Sequence, residues 1–186
     1  ISKYKNLFIF VLIFSNSIIA DDKKLLILGD SISAGYGIKE SENWVQLLDT
    51  SLKLSAMELK IINSSISGDT TIGGLSRIEN DLVTHKPNYV LIELGGNDAL
   101  RGYPVDKIKS NLLKIIDISL EAEIIPIIMQ IRIPPNYGKN YVTAFEGIYL
   151  EIAEEKNIPK LTFLLEKVAL NKSLMQPDGI HPNQEA

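Results

Sequence analysis

The residues able to do chemistry begin with a serine. Residues 25–28 are apolar, Gly29 breaks the run, and Asp30-Ser31-Ile32-Ser33 follows. A serine just past the carboxyl end of a strand sits where open α/β sheets place ligands. A serine hydroxyl becomes a useful nucleophile only when a base takes its proton, a third group orients that base, and donors receive the charge of an oxyanion. The chain has two histidines, His85 and His181. His85 precedes Lys86-Pro87 near the expected end of a helix and reads as a solvated surface residue. His181 lies in the polar turn Asp178-Gly179-Ile180-His181-Pro182. A tight turn can set the Asp178 carboxylate on Nδ1–H of His181 and leave Nε2 facing Ser31. Candidate oxyanion donors are the backbone N–H groups of Ser31 and Gly68 and the side-chain amide of Asn97.

Those residues need a scaffold that brings separate loops together. Apolar runs over 25–28, 59–62, 89–94, 124–131 and 159–163 read as strands. Between them, 43–54, 72–85, 105–121 and 141–156 carry helical patterns. The apolar faces are Trp44, Val45, Leu47, Leu48, Leu52 and Leu54 in the first helix, and Ile108, Leu112, Ile115, Ile116 and Leu120 in the third. Strands alternating with helices predict an α/β fold, a three-layer α/β/α sandwich. Its five-stranded parallel sheet takes the order 2-1-3-4-5 by default. In that order strand 1 lies between strands 2 and 3, so the loops holding Ser31, Gly68 and Asn97 meet on one rim.

Bulk properties narrow the class. The chain has 186 residues, a net charge of −4 and no cysteine. No nucleic-acid footprint is expected, and thiol nucleophiles, thiolate metal sites and disulfides are excluded. Lys3 and Lys5, an apolar stretch over 7–14 and small residues up to Ala20 predict a signal peptide over 1–20. The domain then spans 21–186 and is expected to be periplasmic or secreted. Ile1 and Ala186 read as clipped ends. The sequons at Asn63 and Asn171 read as chance matches.

Together, Gly29-Asp30-Ser31-Ile32-Ser33, Gly68, Gly96-Asn97-Asp98 and Asp178-Gly179-Ile180-His181-Pro182 resemble, in order, the four motif blocks of the SGNH (GDSL-type) hydrolases. Residues 65–70, 93–98, 129–132 and 136–138 extend the likeness to a bacterial periplasmic branch of thioesterases and lysophospholipases. The resemblance implies a Ser31–His181–Asp178 triad. It also implies an oxyanion hole from Ser31, Gly68 and Asn97, no metal or cofactor, and hydrolysis of thioesters and carboxylic esters. The family's helix after the His loop is expected to be truncated in this sequence. The Gly-x-Ser-x-Gly elbow of α/β-hydrolases is absent, because Ser33 stands where its second glycine would be.

Asp30 reads as structural, bonding loop N–H groups. An acyl groove is expected between loops 70–75 and 131–137, with Gly73, Ile133, Pro134 and Tyr137 at the substrate and Gly73-Gly74 allowing movement. The expected partner is a small acyl ester or thioester, with peripheral lipid contact and a monomeric state. Three other readings stay open: a carbohydrate acetylesterase, a metal-dependent phosphoesterase using Asp30, Asp98, Asp178 and His181, and a non-catalytic lipid or glycan binder.

Overall fold

The computed structural model describes residues 23–186, so the expected leader over 1–20 lies outside the described residues. The elements in order are β1 (Lys23–Gly29), α1 (Ser31–Ala34), α2 (Trp44–Leu54), β2 (Leu59–Asn63), α3 (Thr71–His85), β3 (Tyr89–Glu93), α4 (Gly96–Leu100), α5 (Val105–Glu121), β4 (Ile125–Met129), α6 (Lys139–Lys156) and β5 (Lys160–Leu161). The sheet is parallel in the order β2-β1-β3-β4-β5, as predicted.

β1 and β3 are near-continuous apolar runs because both of their faces are covered. Leu26, Leu28, Val90 and Ile92 point into the larger core with Ile108, Leu112, Ile115, Phe145 and Tyr149. Leu25, Ile27 and Leu91 point the other way, toward Val45 and Met129. This alternation is the two-residue period of a strand. In the β1–β3 register Gly29 pairs with Glu93. A carboxyl group therefore ends up directly beside the turn that carries Ser31.

β2 is an edge strand, as that order requires, and only half-buried. Three details differ from the sequence reading. α2 buries only Val45 among its apolar residues, and Leu47 and Leu54 face solvent. Leu120 is exposed, and Ser119 faces the core in its place, its hydroxyl donating to the Ile115 carbonyl at 2.9 Å. β5 is two residues long, and beyond it the chain runs through turns to residue 186, tied by one antiparallel bridge between Met175 and Pro182.

Candidate active site

Ser31 is the first residue of α1, directly after the strand, not in an open loop. The Asp30 Oδ1 caps that helix by accepting from Ile32 N–H at 3.0 Å, the usual work of an N-cap aspartate. The turn is held from below. Glu93 Oε2 accepts the Ser33 hydroxyl at 2.8 Å and Asp30 N–H at 3.3 Å. Asn43 and Asn63 each donate to the Ser33 carbonyl, at 2.9 and 2.8 Å. Gly29 allows this approach, since a Cβ there would lie 2.6 Å from Glu93 Oε2. The Ser31 N–H sits at the start of a helix, where no intrahelical acceptor exists.

Burial shapes the charge under the serine. Desolvation pushes the Glu93 carboxyl well above its ordinary range, and the neighbouring Asp30 carboxylate adds to this. Desolvation also raises Asp30 to about 6, against hydrogen bonds from Ile32 and Asn97 and the pull of His181. Burial thus favours the neutral form of both carboxyls.

The oxyanion candidates come from the two flanking turns. Gly68 adopts φ +80°, with no atom within 4 Å of its Cβ position. Glycine is needed there for its conformation and not for space. The adjacent Asp69 carboxylate accepts from Thr70 N–H and Arg77, and Arg77 also donates to Ser64 and Asp81. That network fixes the turn to α3. Asn97 lies on α4, whose N-cap Gly95 has φ +116°; a helix stands where a turn was expected. Its Nδ2 donates to Asp30 Oδ2 at 3.1 Å. Asp98 ties α4 to α3, accepting Thr71 N–H at 2.8 Å and Thr71 Oγ1 at 2.7 Å. Its pKa is raised, by burial first, against those two bonds.

The tail completes the arrangement. His181 Nε2 lies 2.8 Å from Ser31 Oγ, and His181 Nδ1 lies 2.7 Å from Asp178 Oδ2. The other Asp178 oxygen accepts N–H from Ile180 at 2.9 Å and from His181 at 3.0 Å. Gly179, at φ +68°, makes the turn tight enough for this. Desolvation works to raise the Asp178 pKa, but the two N–H groups and the imidazole outweigh it and lower it to about 2. An ionised Asp178 holds the Nδ1 proton and leaves Nε2 free to accept from Ser31.

These blocks match known proteins along the chain. The GDSL-like lipase/acylhydrolase family matches residues 27–186. The chain belongs to that family. An arylesterase from Vibrio mimicus is 46% identical over 164 residues, covering 88% of this chain and 82% of that protein. Thioesterase 1/protease 1/lysophospholipase L1 of Escherichia coli K12 is 43% identical over 179 residues, covering 96% and 84%. Among solved structures, the psychrotrophic esterase EstA from Pseudoalteromonas, inhibited by monoethylphosphonate, superposes with a TM-score of 0.86 at 41% identity, covering 89% of this chain and 90% of that one. This GDSL-family chain is thus a hydrolase of ester bonds.

In this GDSL hydrolase a cavity of about 700 Å³ opens at Ser31 and His181, with Gly68 and Asn97 also on its wall. Ile133 and Pro134 line it. Gly73 and Tyr137 do not. Gly73 is inside α3, and a Cβ there would meet Asp69 Oδ1 at 1.8 Å, so this glycine makes room for the Arg77 network and is not a hinge. The Tyr137 hydroxyl donates to the Leu100 carbonyl at 3.0 Å, bracing the 132–138 segment. His85 ends α3, away from this cavity.

Sequence reasoning missed Tyr36, Leu100, Met129 and Phe163, which give the cavity its apolar wall, and it missed Glu93. A lone charge closing the apolar run of β3 was the available sign for Glu93, since a buried glutamate is rare without a partner. The metal reading loses its ligand set: Asp98 is engaged by Thr71, and among the described residues no three His, Cys, Asp or Glu side chains converge.

Proposed function

We propose that the protein is a serine esterase and thioesterase that cleaves medium- or long-chain acyl thioesters and carboxylic esters, acyl-CoA and lysophospholipid among them, through an acyl-enzyme on Ser31. The observation that carries this reading is the unbroken line Asp178–His181–Ser31, at 2.7 and 2.8 Å, opening into a largely apolar cavity. Ser31 Oγ attacks the acyl carbon as its proton passes to His181 Nε2. The carbonyl oxygen becomes an oxyanion facing the N–H groups of Ser31 and Gly68 and the Asn97 amide. His181 returns the proton to the departing alkoxide or thiolate, the C–O or C–S bond breaks, and the acyl-enzyme remains. A water then gives its proton to His181 and its hydroxide to the acyl carbon, and His181 passes that proton to Ser31 Oγ as the acyl C–Oγ bond breaks, freeing the acid and Ser31. Asp178 stabilises the imidazolium formed twice in this cycle.

The reading needs no cofactor and no nucleic acid. It takes a small acyl ester or thioester as partner, and the protein acts as a monomer in an exported setting. Exposed Tyr36, Leu170 and Ile180 at the cavity suit transient contact with lipid. A carbohydrate acetylesterase would be served by a shallow polar cleft, so the apolar wall favours longer acyl groups.

The test is hydrolysis of p-nitrophenyl esters from acetyl to palmitoyl, with Ser31→Ala as control. Turnover of medium or long chains that disappears in Ser31→Ala is expected. Turnover of acetyl alone would favour the acetylesterase.

A further inference from the structure

Gln176 occupies a position that the catalytic reading does not use. Its side-chain nitrogen donates to two carbonyls at once, that of Tyr36 at 2.8 Å and that of Pro182 at 2.9 Å. Only the amide nitrogen can face two carbonyl oxygens, so the orientation of this amide is fixed by its partners. Its backbone N–H donates to the His181 carbonyl at 2.8 Å, and its own carbonyl accepts Gly179 N–H at 3.0 Å. One residue therefore holds both ends of the turn that carries Asp178 and His181, and joins that turn to the segment that follows Ser31.

The same segment meets His181 directly. The Tyr36 and His181 rings lie 4.6 Å apart between centroids, tilted by 41°. The Tyr36 N–H donates to the Ser31 carbonyl at 3.0 Å, so this ring is tied to the nucleophile's own helical turn. Gly37 makes space for the clamp: it has φ +76°, and a Cβ there would lie 2.4 Å from the Gln176 amide oxygen. Among the described residues the Tyr36 hydroxyl has no hydrogen-bond partner, so the contribution of Tyr36 comes from its ring and its carbonyl.

We propose that Gln176 and Tyr36 are positioning residues that hold the His181 imidazole against Ser31, Gln176 by clamping the two segments together and Tyr36 by packing against the ring. The proposal rests on the reading of Ser31 as nucleophile and His181 as base. When His181 takes the Ser31 proton, its charge forms on a ring whose centroid lies 4.6 Å from that of Tyr36, within the range at which an aromatic ring attracts a cation. The expected signature is loss of kcat with KM little changed, because the clamp acts on proton transfer and orientation.

The test compares Gln176→Leu, Tyr36→Leu and Tyr36→Phe in the full chain. It uses p-nitrophenyl butyrate kinetics, thermal melts, and the low-field NMR signal of the imidazole proton shared with Asp178. Gln176→Leu should lower kcat by roughly 10- to 100-fold, as a misplacement of about 1 Å does, and should weaken or broaden the low-field signal. Tyr36→Leu should lower kcat less, and Tyr36→Phe should recover most of that loss. If Gln176→Leu melts too low to assay, the Tyr36 pair decides. A Gln176→Leu enzyme with wild-type kcat and an unchanged low-field signal would overturn the proposal, as would Tyr36→Phe and Tyr36→Leu losing kcat equally. Ser31→Ala separates the two layers. Activity surviving in Ser31→Ala defeats the nucleophile reading, whereas a dead Ser31→Ala beside a fully active Gln176→Leu defeats only the clamp.

Discussion

Two carboxylates, Asp30 next to Ser31 in the chain and Asp178 on His181, are moved in opposite directions by their surroundings. Asp30, on the sheet rim, is buried and raised to about 6. Asp178, in the tail, is largely exposed and lowered to about 2 by the hydrogen bonds it accepts. The rim side is built from contacts between distant parts of the chain: Glu93 under Asp30 and Ser33, Asn97 on Asp30, Asp98 on Thr71. The tail side is built mostly from itself, with Asp178 bonding residues two and three positions on. The proposed nucleophile Ser31 and the proposed oxyanion donors are thus set by contacts with the sheet rim. The proposed base His181 is set by one short turn and a few ties to the rest of the molecule. Local opening is cheapest where buried contacts are few, so the tail is the side on which geometry can be lost without unfolding the sheet.

The strongest way to break this comparison is to remove the groups on either side of the proton transfer. Ser31→Ala and His181→Ala should each lower kcat by about 10⁴-fold or more while leaving the melting temperature close to wild type, measured by ester hydrolysis and calorimetry. A smaller effect is expected at the oxyanion. Asn97→Ala should lower kcat by about 10²- to 10³-fold, and it also frees Asp30 Oδ2 of its amide partner. A substantial loss of melting temperature should accompany this change but not His181→Ala, because Asn97 belongs to the buried side.

The pH dependence of stability sharpens the contrast. A carboxyl raised in the folded state keeps its proton better folded than unfolded. The contribution of Asp30 is therefore most favourable in acid and is lost as pH rises from about 4 through about 6. Asp178 has the reverse sign: its contribution is present above the ordinary carboxylate range and is lost as pH falls through about 2. Glu93→Gln keeps a neutral side chain at this buried position at every pH. Its melting temperature relative to wild type should improve as pH rises above the ordinary carboxylate range, and a flat difference would contradict the buried pair. The smallest effect is at Gly73. Gly73→Ala should cost about 1–3 kcal/mol by displacing the Asp69 carboxylate, read as a lower melting temperature with little change in KM, since Gly73 is not on the cavity wall.

Much of this arrangement was legible in the chain because strand–turn–helix punctuation is local. The apolar runs, the helix at 105–121 and the strand order follow from periodicity and the alternation of elements. The Asp178–Gly179–Ile180–His181 turn could be read for the same reason: its bonds span three residues. What could not be read depends on register or on distant partners. The α4 helix begins at a Gly-Gly pair that also starts many turns, and only Gly95 at φ +116° and the Thr71 contact decide for a helix. Gly73 looks like a hinge until Asp69 is seen in the space of its Cβ. Glu93 matters because β3 lies beside β1 with Gly29 opposite it, and Gln176 because Tyr36 is 140 residues away in sequence and within one hydrogen bond in space.

The central claim is that Ser31 is the nucleophile and His181 takes its proton. Its most direct measurement is covalent trapping with a p-nitrophenyl alkylphosphonate, followed by peptide mass spectrometry and the rate of p-nitrophenol release. One phosphonyl group on the peptide containing Ser31 is predicted, with no adduct in Ser31→Ala and a rate at least about 10³-fold slower in His181→Ala. An adduct on another residue, or trapping at the wild-type rate in His181→Ala, would contradict the account.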